Sequence, residues 1–454
     1  MENKDLEMAE KIAGRVSKAG GRTFFVGGYV RDLLMNAENK DIDIEIHGIT
    51  PSVLCEILDS LGERTEMGAS FGVFGLSHYN LDIAMPRREH PCGKGHKDFE
   101  IFVDPFLGTK KAAQRRDFTI NALMQDVLTG EIIDHFGGME DLSNGVIRHV
   151  NDRTYGEDPL RVLRAAQFAA RFGFRIAERT MELSASEDLT ALAKERVFGE
   201  TEKALLKSDT PSVFFKALRD MDQLNDWFPE IKDLIGVEQE PEFHPEGDVW
   251  NHTMSVLDAA AKLREKAHEP TYFMMAALCH DLGKTVSTQK TDGRIRSVGH
   301  EIRGVEIADV FVRRLTTETK LRKYVCNMVR LHMSPNLLAD QNAGKKAFMR
   351  MFDRSCDPED LLLLAKADRM GQDRETHYEK TEELLTGRLH EFKELMDRPF
   401  VQGRDLVGAG MEPGPEMHEA LDFAHKLRLA GVPKEDALRQ TMANYGKKKD
   451  KEYE

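Results

Sequence analysis

The sequence predicts an α+β protein of several domains, with a mixed sheet and helices in its N-terminal third and helices almost throughout the rest. Its 454 residues exceed what a single hydrophobic core usually serves. From about residue 21 to 148, short apolar runs are separated by Gly, Pro and Asp, which is typical of strands. From about residue 157 the apolar period becomes helical and stays so almost to the end.

Individual segments justify this fold class. The runs TFFVGG, DIDIEIHG, FGVFGL, LDIAM and FEIFVDP predict strands, whereas LRVLRAAQFAARFGF and ERVFGETEKALL predict helices. Turn residues separate the periodic segments near residues 148, 236 and 395. We therefore expect four domains, at residues 1–148, 149–236, 237–395 and 396–454.

Composition limits the classes of protein to consider. No run of about 18 apolar residues and no charged-then-apolar leader is visible, so we expect a soluble, cytoplasmic protein without a membrane partner. The five cysteines form no Cys-x-x-Cys pair, which indicates reduced thiols instead of disulfides or a zinc knuckle. No protein partner can be inferred.

The charge pattern leaves two interpretations open. A net charge of -14 argues against a nucleic-acid partner, because phosphate binding depends on Lys and Arg. Basic residues are nevertheless concentrated locally, and such clusters fit either RNA contacts or solvated helix faces. The clusters are Arg87-Arg88, Lys110-Lys111 with Arg115-Arg116, the arginines 161, 164, 171 and 175, and the lysines 447–449.

A glycine turn and a pair of carboxylates indicate a phosphate and metal site in the first domain. Gly27 and Gly28 follow a predicted strand and precede a helix that begins with Arg31 and Asp32, so backbone N–H groups can approach a triphosphate. In KDIDIEI, Asp41 and Asp43 alternate with isoleucines and project from one face of a strand.

Paired carboxylates repel each other unless a cation lies between them, and hard oxygen ligands suit Mg²⁺. Asp82, on a later predicted strand, is a third candidate catalytic carboxylate. This is the ligand set that two-metal phosphoryl transfer requires. An exposed Asp-x-Asp strand edge is the alternative, and the upstream glycine turn argues against it.

These motifs resemble the class II tRNA nucleotidyltransferases and the bacterial poly(A) polymerases. The resemblance covers about residues 21 to 235 and implies a nucleotidyltransferase-type head followed by a helical neck. QRRDFTINAL matches the family's ribose-recognition motif, and EDPLR matches its base-recognition motif, where an Asp and an Arg offer an acceptor and a donor side by side. The nucleotide-binding residues so implied are Arg115, Arg116, Asp117, Asn121, Glu157, Asp158, Arg161 and Arg164. Arg196 and Glu200 are expected to support the neck.

The family contains enzymes with different products. Poly(A) polymerases typically carry two basic residues before the Phe of a Gly-x-x-Phe stretch, and residues 68–72 here (GASFG) lack them. The segment Met85 to Glu100, where family members have a flexible loop for the switch from C to A, is not truncated. This favours complete CCA addition, with A-only and CC-only enzymes left open.

A histidine series in the second half resembles the HD phosphohydrolase superfamily. The series implies ligands for one or two ions, and neutral imidazole with carboxylate suits a transition metal such as Ni²⁺, Mn²⁺ or Fe²⁺. Lys284 in HDLGK is expected to steady a phosphate beside His280 and Asp281. The implied metal ligands are His252, His280, Asp281, His300, His332 and Asp368.

Together these motifs predict an enzyme that adds CCA from CTP and ATP to the 3′ end of tRNA, with a second, HD-type activity on phosphoesters. The C-terminal stretch after residue 395 resembles the family's tail, which implies a contact with the body of the tRNA. The alternatives are a poly(A) polymerase and an HD phosphohydrolase whose head only binds RNA.

Overall fold

The structure is a computed structural model that describes residues 4–37, 41–68, 72–91, 99–372 and 378–446. The chain divides into two compact units, Met1–Trp227 and Phe228–Glu454. This division lies close to the predicted boundary near residue 236, while the finer boundaries near 148 and 395 stay predictions. Among the described helices, none is long and apolar enough to cross a membrane.

The first unit contains a seven-stranded sheet. The strands of the head are β1 (Arg22–Val26), β2 (Ile42–His47), β3 (Arg64–Gly68), β4 (Val73–Leu76), β5 (Leu81–Ala84), β6 (Arg87–Pro91), β7 (Phe99–Val103), β8 (Met124–Asp126) and β9 (Ile132–Ile133). The order in the sheet is β3-β4-β5-β2-β1-β8-β9. Within the described part of this sheet, β2 and β5 pair in parallel and the other neighbours are antiparallel, so the sheet is mixed, as predicted.

Strand β7 differs from the expectation in its partner. It forms a separate antiparallel ribbon with β6. The inner strands of the sheet, β1, β2, β4, β5 and β8, each already have two neighbours. The apolar run FEIFVDP is therefore a strand, as predicted, but lies outside the main sheet.

Alternation along β2 decides which side chains enter the core. Ile42, Ile44 and Ile46 are almost completely buried in the apolar cluster of the head. Because side chains alternate across a strand, Asp43 and Glu45 project from the opposite face. The same alternation that builds the core therefore positions the acidic side chains.

Helices complete the first unit. They are α1 (Lys4–Lys18), α2 (Gly28–Leu34), α3 (Pro51–Asp59), α4 (Thr109–Gln114), α5 (Gly138–Ser143), α6 (Asp152–Tyr155), α7 (Leu160–Phe172), α8 (Glu178–Ala185), α9 (Lys194–Lys207) and α10 (Ser212–Asp220). A short parallel pair, β10 (Val146–Ile147) with β11 (Arg175–Ile176), lies at the start of the helical part. Helices α7 and α9 coincide with the two helices predicted from periodicity.

The second unit is helical, as predicted, with one addition. Its helices are α11 (Pro229–Lys232), α12 (Val249–Ala261), α13 (Pro270–Cys279), α14 (Lys284–Ser287), α15 (His300–Leu315), α16 (Thr319–Leu331), α17 (Ser334–Asp340), α18 (Lys345–Arg354), α19 (Pro358–Gly371), α20 (Glu379–Asp397), α21 (Gly403–Gly408), α22 (Glu416–Leu429) and α23 (Lys434–Tyr445). The addition is a hairpin of β12 (Thr288–Thr291) and β13 (Arg294–Ser297).

The hairpin has a local cause. Asp292 and Gly293 at its turn have φ values of 53° and 78°. An Asp-Gly pair with positive φ at both positions is a favoured two-residue connection between antiparallel strands. The Asp-Gly dipeptide predicts such a turn, whereas the apolar periodicity of the sequence does not reveal it.

Candidate functional site in each unit

The glycine turn of the first unit faces an acidic strand. Gly27 has a φ of 66°, and a Cβ there would lie 3.7 Å from Oδ2 of Asp43 and 3.3 Å from Nη1 of Arg116. Since glycine accepts positive φ without strain, the turn can pass close to these two side chains. The structure thus brings together the predicted glycine turn, a predicted metal ligand and one arginine of the RRD motif.

The three predicted carboxylates lie on neighbouring parts of the sheet. Asp43 on β2 is in register with Asp82 on β5. Asp41 immediately precedes β2, is exposed, and accepts a hydrogen bond of 3.0 Å from Nδ2 of Asn80. Burial raises the pKa of Asp43; Arg116 counteracts this, and the charges of Asp82 and Asp41 raise it further. An oxygen-only set of this kind fits a hard divalent cation.

Glu45 is an acidic neighbour that the sequence analysis missed. It is buried on β2, accepts a hydrogen bond of 2.8 Å from Nε2 of His47, and lies 3.5 Å from Nη2 of Arg116. Burial opposes its ionisation, but the hydrogen bond from His47 and the charge of Arg116 lower its pKa. In KDIDIE, the alternation of Asp41, Asp43 and Glu45 indicates that Glu45 lies on the same face of the strand as the other two.

Arg31 and Asp32 are buried close to the glycine turn. Nε of Arg31 donates to Oδ1 of Asp32 at 2.7 Å, and its Nη1 donates to Oδ1 of Asn121 at 2.6 Å. The guanidinium also lies 4.8 Å from the ring centre of Phe172 on α7. Three predicted nucleotide-binding residues thus belong to a buried network that attaches the head to the helices after it.

Asp117 continues this network toward the neck. Its Oδ1 accepts from the backbone N–H of Phe118 at 2.8 Å and from Nδ2 of Asn121 at 3.0 Å, while Nε of Arg164 donates to Oδ2 at 2.7 Å. Burial would raise the pKa of Asp117, but Arg164 and Asn121 lower it. Nη1 of Arg164 also lies 3.8 Å from Oε1 of Glu200 on α9. The carboxylate is therefore ionised and held at a fixed position.

The predicted base-recognition pair has unexpected partners. Asp158 precedes α7, and its Oδ2 accepts a hydrogen bond of 2.8 Å from Nη2 of Arg196. Arg161 donates from Nη2 to the carbonyl oxygen of Arg115 at 3.0 Å and from Nη1 to that of Thr154. Arg196 on α9, 38 residues further along the chain, thus fixes Asp158, and backbone carbonyls fix Arg161, so the two side chains do not hold each other as a helical pair would. The adjacent Glu157 is exposed.

Parts of three sequence predictions lie outside the described residues. They are residues 69–71 of the stretch that argues against poly(A) synthesis, residues 92–98 of the segment expected to act in the switch from C to A, and the lysines 447–449.

In the second unit the fold brings all six predicted histidine and aspartate ligands together. One group joins His252, His280 and Asp368, and another joins Asp281, His300 and His332; within each, one ligand atom per residue lies within 4.8 Å of the others. Every one of the six side chains is buried. Among the described residues, such compact groups occur only in the second unit, so the carboxylates of the head are spaced more widely.

Asp281 lies between the two groups. Its Oδ2 is 3.2 Å from Nε2 of His280 and 3.5 Å from Nε2 of His252, whereas its Oδ1 is 3.3 Å from Nε2 of His300. Lys284 Nζ lies 2.7 Å from Oδ2. Within the described part of the chain, this buried Oδ2 receives no hydrogen bond of good geometry. A buried carboxylate oxygen in that state, facing several imidazoles, fits a metal ion.

The backbone orients three of the histidines in the same way. Nδ1 of His280, His300 and His332 lies 2.7–2.8 Å from the carbonyl oxygen three residues earlier, in Ala277, Ser297 and Val329. A carbonyl only accepts, so Nδ1 holds the proton and the Nε2 lone pair is directed at the cluster. His280 and His332 stand at the C-caps of α13 and α16, where the last carbonyls of a helix are free to accept.

His252 is oriented by a residue that the sequence analysis missed. Its Nδ1 lies 2.8 Å from Oε1 of Glu246, which also accepts from Nδ1 of His244 at 2.8 Å. Burial disfavours the charged ring, but the carboxylates of Asp368 and Glu246 raise the pKa of His252 to about 9. His244 and Glu246 lie in the loop HPEGD before α12. In the sequence, this contact could be suspected from a His-x-Glu pair whose Glu lies six residues before His252.

A glycine turn beside in-register carboxylates, together with a buried histidine and aspartate cluster, defines a nucleotidyltransferase head joined to an HD-type metal domain. Family models agree with this division. Residues 23–148 match a model described as Poly A polymerase head domain, residues 249–371 match the HD domain, and residues 173–235 match a model described as probable RNA and SrmB-binding site of polymerase A. The nucleotidyltransferase fold and the HD domain imply the use of divalent metal ions.

Curated relatives identify the family. A multifunctional CCA protein of Actinobacillus pleuropneumoniae serotype 5b (strain L20) is 37% identical over 365 residues, which cover 77% of this chain and 85% of the relative. Another, of Stenotrophomonas maltophilia (strain K279a), is 36% identical over 424 residues, covering 90% of this chain and all of the relative. The chain belongs to the multifunctional CCA protein family and is a CCA tRNA nucleotidyltransferase.

Solved structures show the same fold. A CCA-adding enzyme in its apo form II superimposes with a TM-score of 0.69 at 20% identity, over 98% of this chain and 96% of the other. The Thermotoga maritima CCA-adding enzyme complexed with tRNA gives a TM-score of 0.64 at 20% identity, over 98% and 96%. The Bacillus stearothermophilus enzyme in complex with CTP gives 0.67 at 22% identity, over 97% and 98%.

Proposed function

We propose that the protein adds the complete CCA sequence, from two CTP and one ATP, to the 3′ end of tRNA. The observation that carries this proposal is the register of Asp43 with Asp82 beside Gly27 and Arg116, in a head that matches the CCA proteins. Relatives named multifunctional CCA proteins, and solved structures of similar fold in complex with ATP, CTP and tRNA, support it. The cytoplasmic location stays a prediction.

Side chains of the head divide the work of nucleotide transfer. Asp41 and Asp43, with Asp82 beside them, would hold Mg²⁺ ions, which when bound neutralise the phosphates and activate the attacking hydroxyl. The 3′ oxygen of the tRNA bonds to the α-phosphorus, the bond to the β-phosphate bridge breaks, pyrophosphate leaves, and the hydroxyl proton passes to water. Arg116 and the Gly27–Gly28 turn hold the triphosphate in place.

Selection of the nucleotide falls to the residues fixed by the neck. Asp117, supported by Asn121 and Arg164, accepts a hydrogen bond from the ribose 2′-hydroxyl. Asp158 and Arg161 offer an acceptor and a donor to the edge of the incoming base. Because Arg196 and backbone carbonyls fix them, their positions do not depend on a nucleic-acid template.

A single assay tests this proposal against its alternatives. The purified protein is incubated with Mg²⁺, a tRNA lacking CCA, and labelled CTP and ATP, separately and together. Addition of three nucleotides that then stops supports the proposal. Two cytidines alone or long adenosine tracts would each replace it with the corresponding enzyme, one adenosine added only to a second tRNA that already ends in CC would indicate an A-only enzyme, and no incorporation into either tRNA would mean that the head only binds RNA.

Asp43→Asn tests the carboxylate site. We expect incorporation to fall at least about a thousandfold, because removal of a direct charge-stabilising ligand removes on the order of 4 kcal/mol of transition-state stabilisation. Asp59→Asn, at an exposed position of the same unit, is the matched control and should keep activity. If Asp43→Asn retains incorporation, the carboxylates of this strand do not take part in catalysis.

We further propose that the HD cluster hydrolyses phosphoesters; its two groups, His252, His280 and Asp368 and Asp281, His300 and His332, would hold the divalent ions that this chemistry needs. The position of Asp281, whose two oxygens lie near histidines of different groups, carries this proposal. Mn²⁺, Ni²⁺ or Fe²⁺ suits the imidazole-rich set and, when bound, makes water a nucleophile near neutral pH. The water oxygen bonds to phosphorus, one ester P–O bond breaks, and the leaving oxygen takes a proton. Lys284 binds the phosphate.

Asp281→Asn tests the second site. We expect loss of metal-dependent hydrolysis of a 2′,3′-cyclic nucleotide, at least about a hundredfold, and less metal retained after dialysis, while CCA addition stays unchanged. Asp422→Asn, an exposed position of the same unit, is the control. Unchanged hydrolysis in Asp281→Asn would exclude the cluster as the hydrolytic site.

A further inference from the structure

Two phenylalanine rings on helix α7 contact an arginine of helix α2. Phe168 and Phe172 lie one turn apart on α7, and their rings stack with centres 5.7 Å apart and planes at 11°. The guanidinium of Arg31 on α2 lies 5.2 Å from the centre of the first ring and 4.8 Å from the centre of the second. A cation within about 6 Å of a ring centre is attracted to the ring face. These two rings, the aromatic pair, therefore hold Arg31 from the side of the neck.

Two further cations lie against the aromatic pair. Arg164 lies 5.1 Å from the ring centre of Phe168, and Arg171 lies 4.8 Å from that of Phe172. Aliphatic side chains would fill the same space without the cost of removing charges from water. The chemistry of the ring faces, in addition to their volume, is therefore part of this junction between the head and the helices after it.

Arg31 is held from several directions. Only 4% of its surface is exposed, and burial lowers the pKa of its guanidinium. Asp32 offsets the cost of burial, because its Oδ1 accepts a hydrogen bond of 2.7 Å from Nε of Arg31. The carboxylate and the ring faces together stabilise one position of a buried charge.

This position determines two parts of the nucleotide site. A Cβ at Gly28 would lie 3.4 Å from Nη2 of Arg31, so the guanidinium packs directly against the glycine turn. Its Nη1 donates to Oδ1 of Asn121 at 2.6 Å. Nδ2 of Asn121 in turn donates to Oδ1 of Asp117 at 3.0 Å. Arg31 thus connects the turn that faces the triphosphate with the carboxylate assigned to the ribose.

We propose that Phe172 is a positioning residue for ribose selection: its ring face holds Arg31, which fixes Asp117 through Asn121. The inference rests on the proposed function, in which Asp117 accepts a hydrogen bond from the 2′-hydroxyl. Arg164 holds the other oxygen of Asp117, so loss of the ring should weaken ribose selection without abolishing it.

Phe172 is the better of the two rings to change, because it is half-buried at the end of α7, whereas Phe168 is 5% exposed and lies in an apolar core cluster. Phe172→Leu keeps an apolar side chain and removes the ring face. Phe172→Tyr keeps the ring face. Phe136→Leu is the matched control, since Phe136 is a half-buried ring of the same unit that packs in a different apolar cluster.

The measured quantity is the ratio of kcat/KM for CTP to kcat/KM for dCTP. Each nucleotide is supplied alone, with Mg²⁺ and a tRNA lacking CCA. A smaller fraction of folded protein lowers both values equally and leaves the ratio unchanged, so a purely structural effect of the substitution does not alter it.

We expect Phe172→Leu to lower this ratio about five- to thirtyfold, the range that corresponds to the contact of a desolvated cation with a ring. Phe172→Tyr and Phe136→Leu should stay within about twofold of the wild type. In an Asp117→Asn background, Phe172→Leu should lower the ratio no further, because the carboxylate that it positions is already absent.

Three results would overturn the inference, each for a different reason. If Phe172→Leu keeps the wild-type ratio, or Phe172→Tyr loses as much as Phe172→Leu, the ring face does not position Asp117, although nucleotide addition stands. If the wild type uses CTP and dCTP equally well, there is no ribose selection for Phe172 to support. If the wild type incorporates neither nucleotide, the proposed CCA addition is itself wrong.

Discussion

Orientation of single side chains determines what each cluster can do. In the HD cluster, the imidazoles are directed by acceptors on their Nδ1 atoms, three of which are backbone carbonyls. For His280 and His332 the acceptors are free carbonyls at a helix C-terminus, and for His300 the acceptor is the carbonyl of Ser297 at the end of β13, so the geometry needs no additional side chain. In the head, orientation depends on side chains, as Glu45 and Arg116 illustrate.

Gly27 provides a test at the residue scale. We expect Gly27→Ala to lower nucleotide incorporation at least about tenfold, because a Cβ would lie 3.3 Å from Arg116 Nη1 and a positive φ costs about 1–3 kcal/mol with a side chain. The control is Gly20→Ala, which has a φ of +88° and nothing within 4 Å of the added Cβ.

Incorporation kinetics and thermal unfolding of both variants decide the cause. If both variants lose stability to a similar extent but only Gly27→Ala loses incorporation, the effect is due to the site. Equal activities in the two variants would show that the turn contributes backbone geometry alone.

Pairing of elements explains why distant motifs form sites. The parallel pairing of β2 with β5 aligns Asp43 with Asp82, although 38 residues lie between them. Helices α7 and α9 supply Arg164 and Arg196, which hold Asp117 and Asp158 from outside the motifs. The arginines of the basic cluster on α7 are therefore engaged within the first unit, so their number does not by itself indicate an RNA surface.

The hairpin β12–β13 provides a test at the scale of an element. Ile295 and Arg296 on β13 line the cavity that opens onto Asp281 of the HD cluster, and Gly293 at the turn has a φ of +78°. We expect Gly293→Ala to destabilise the hairpin by about 1 kcal/mol and to lower hydrolysis of a cyclic nucleotide several-fold, with CCA addition unchanged.

Amide hydrogen exchange over residues 288–297 reports the hairpin directly. The matched control is Gly130→Ala, with a φ of +74° in the β8–β9 turn and nothing near the added Cβ. If the hairpin exchanges faster but hydrolysis does not change, the hairpin does not contribute to the hydrolytic site.

The whole molecule carries a net charge of -14 and still has RNA as its proposed substrate. Local Lys and Arg must then provide the phosphate contacts, and each contact releases counterions. We expect tRNA affinity to fall about tenfold or more between 50 and 200 mM monovalent salt, which corresponds to about two contacts or more. Filter binding at several salt concentrations measures the slope. Affinity independent of salt would show that the tRNA is held without phosphate contacts.

How far the sequence predicts the molecule depends on the range of the interaction. Strand β2 and helices α7 and α9 follow from apolar periods that are local, and all were predicted from them. The separate β6–β7 ribbon and the β12–β13 hairpin were not, since strand partners depend on which sheet edges stay open and a two-residue turn lies outside any periodic window.

The sequence by itself determined the family, the helical second half, and the identity and order of the six histidine and aspartate residues that the fold brings together, because these are properties of residue types at fixed spacings. Tertiary structure alone decided that Asp281 lies close to histidines of both groups. It also decided that Arg196 holds Asp158 and that Arg164 holds Asp117. Finally, it placed Glu45 beside Arg116 in the head, and His244 and Glu246 beside His252 in the HD cluster. These contacts depend on strand register and helix packing between segments far apart in the chain, and no local pattern of residues encodes them.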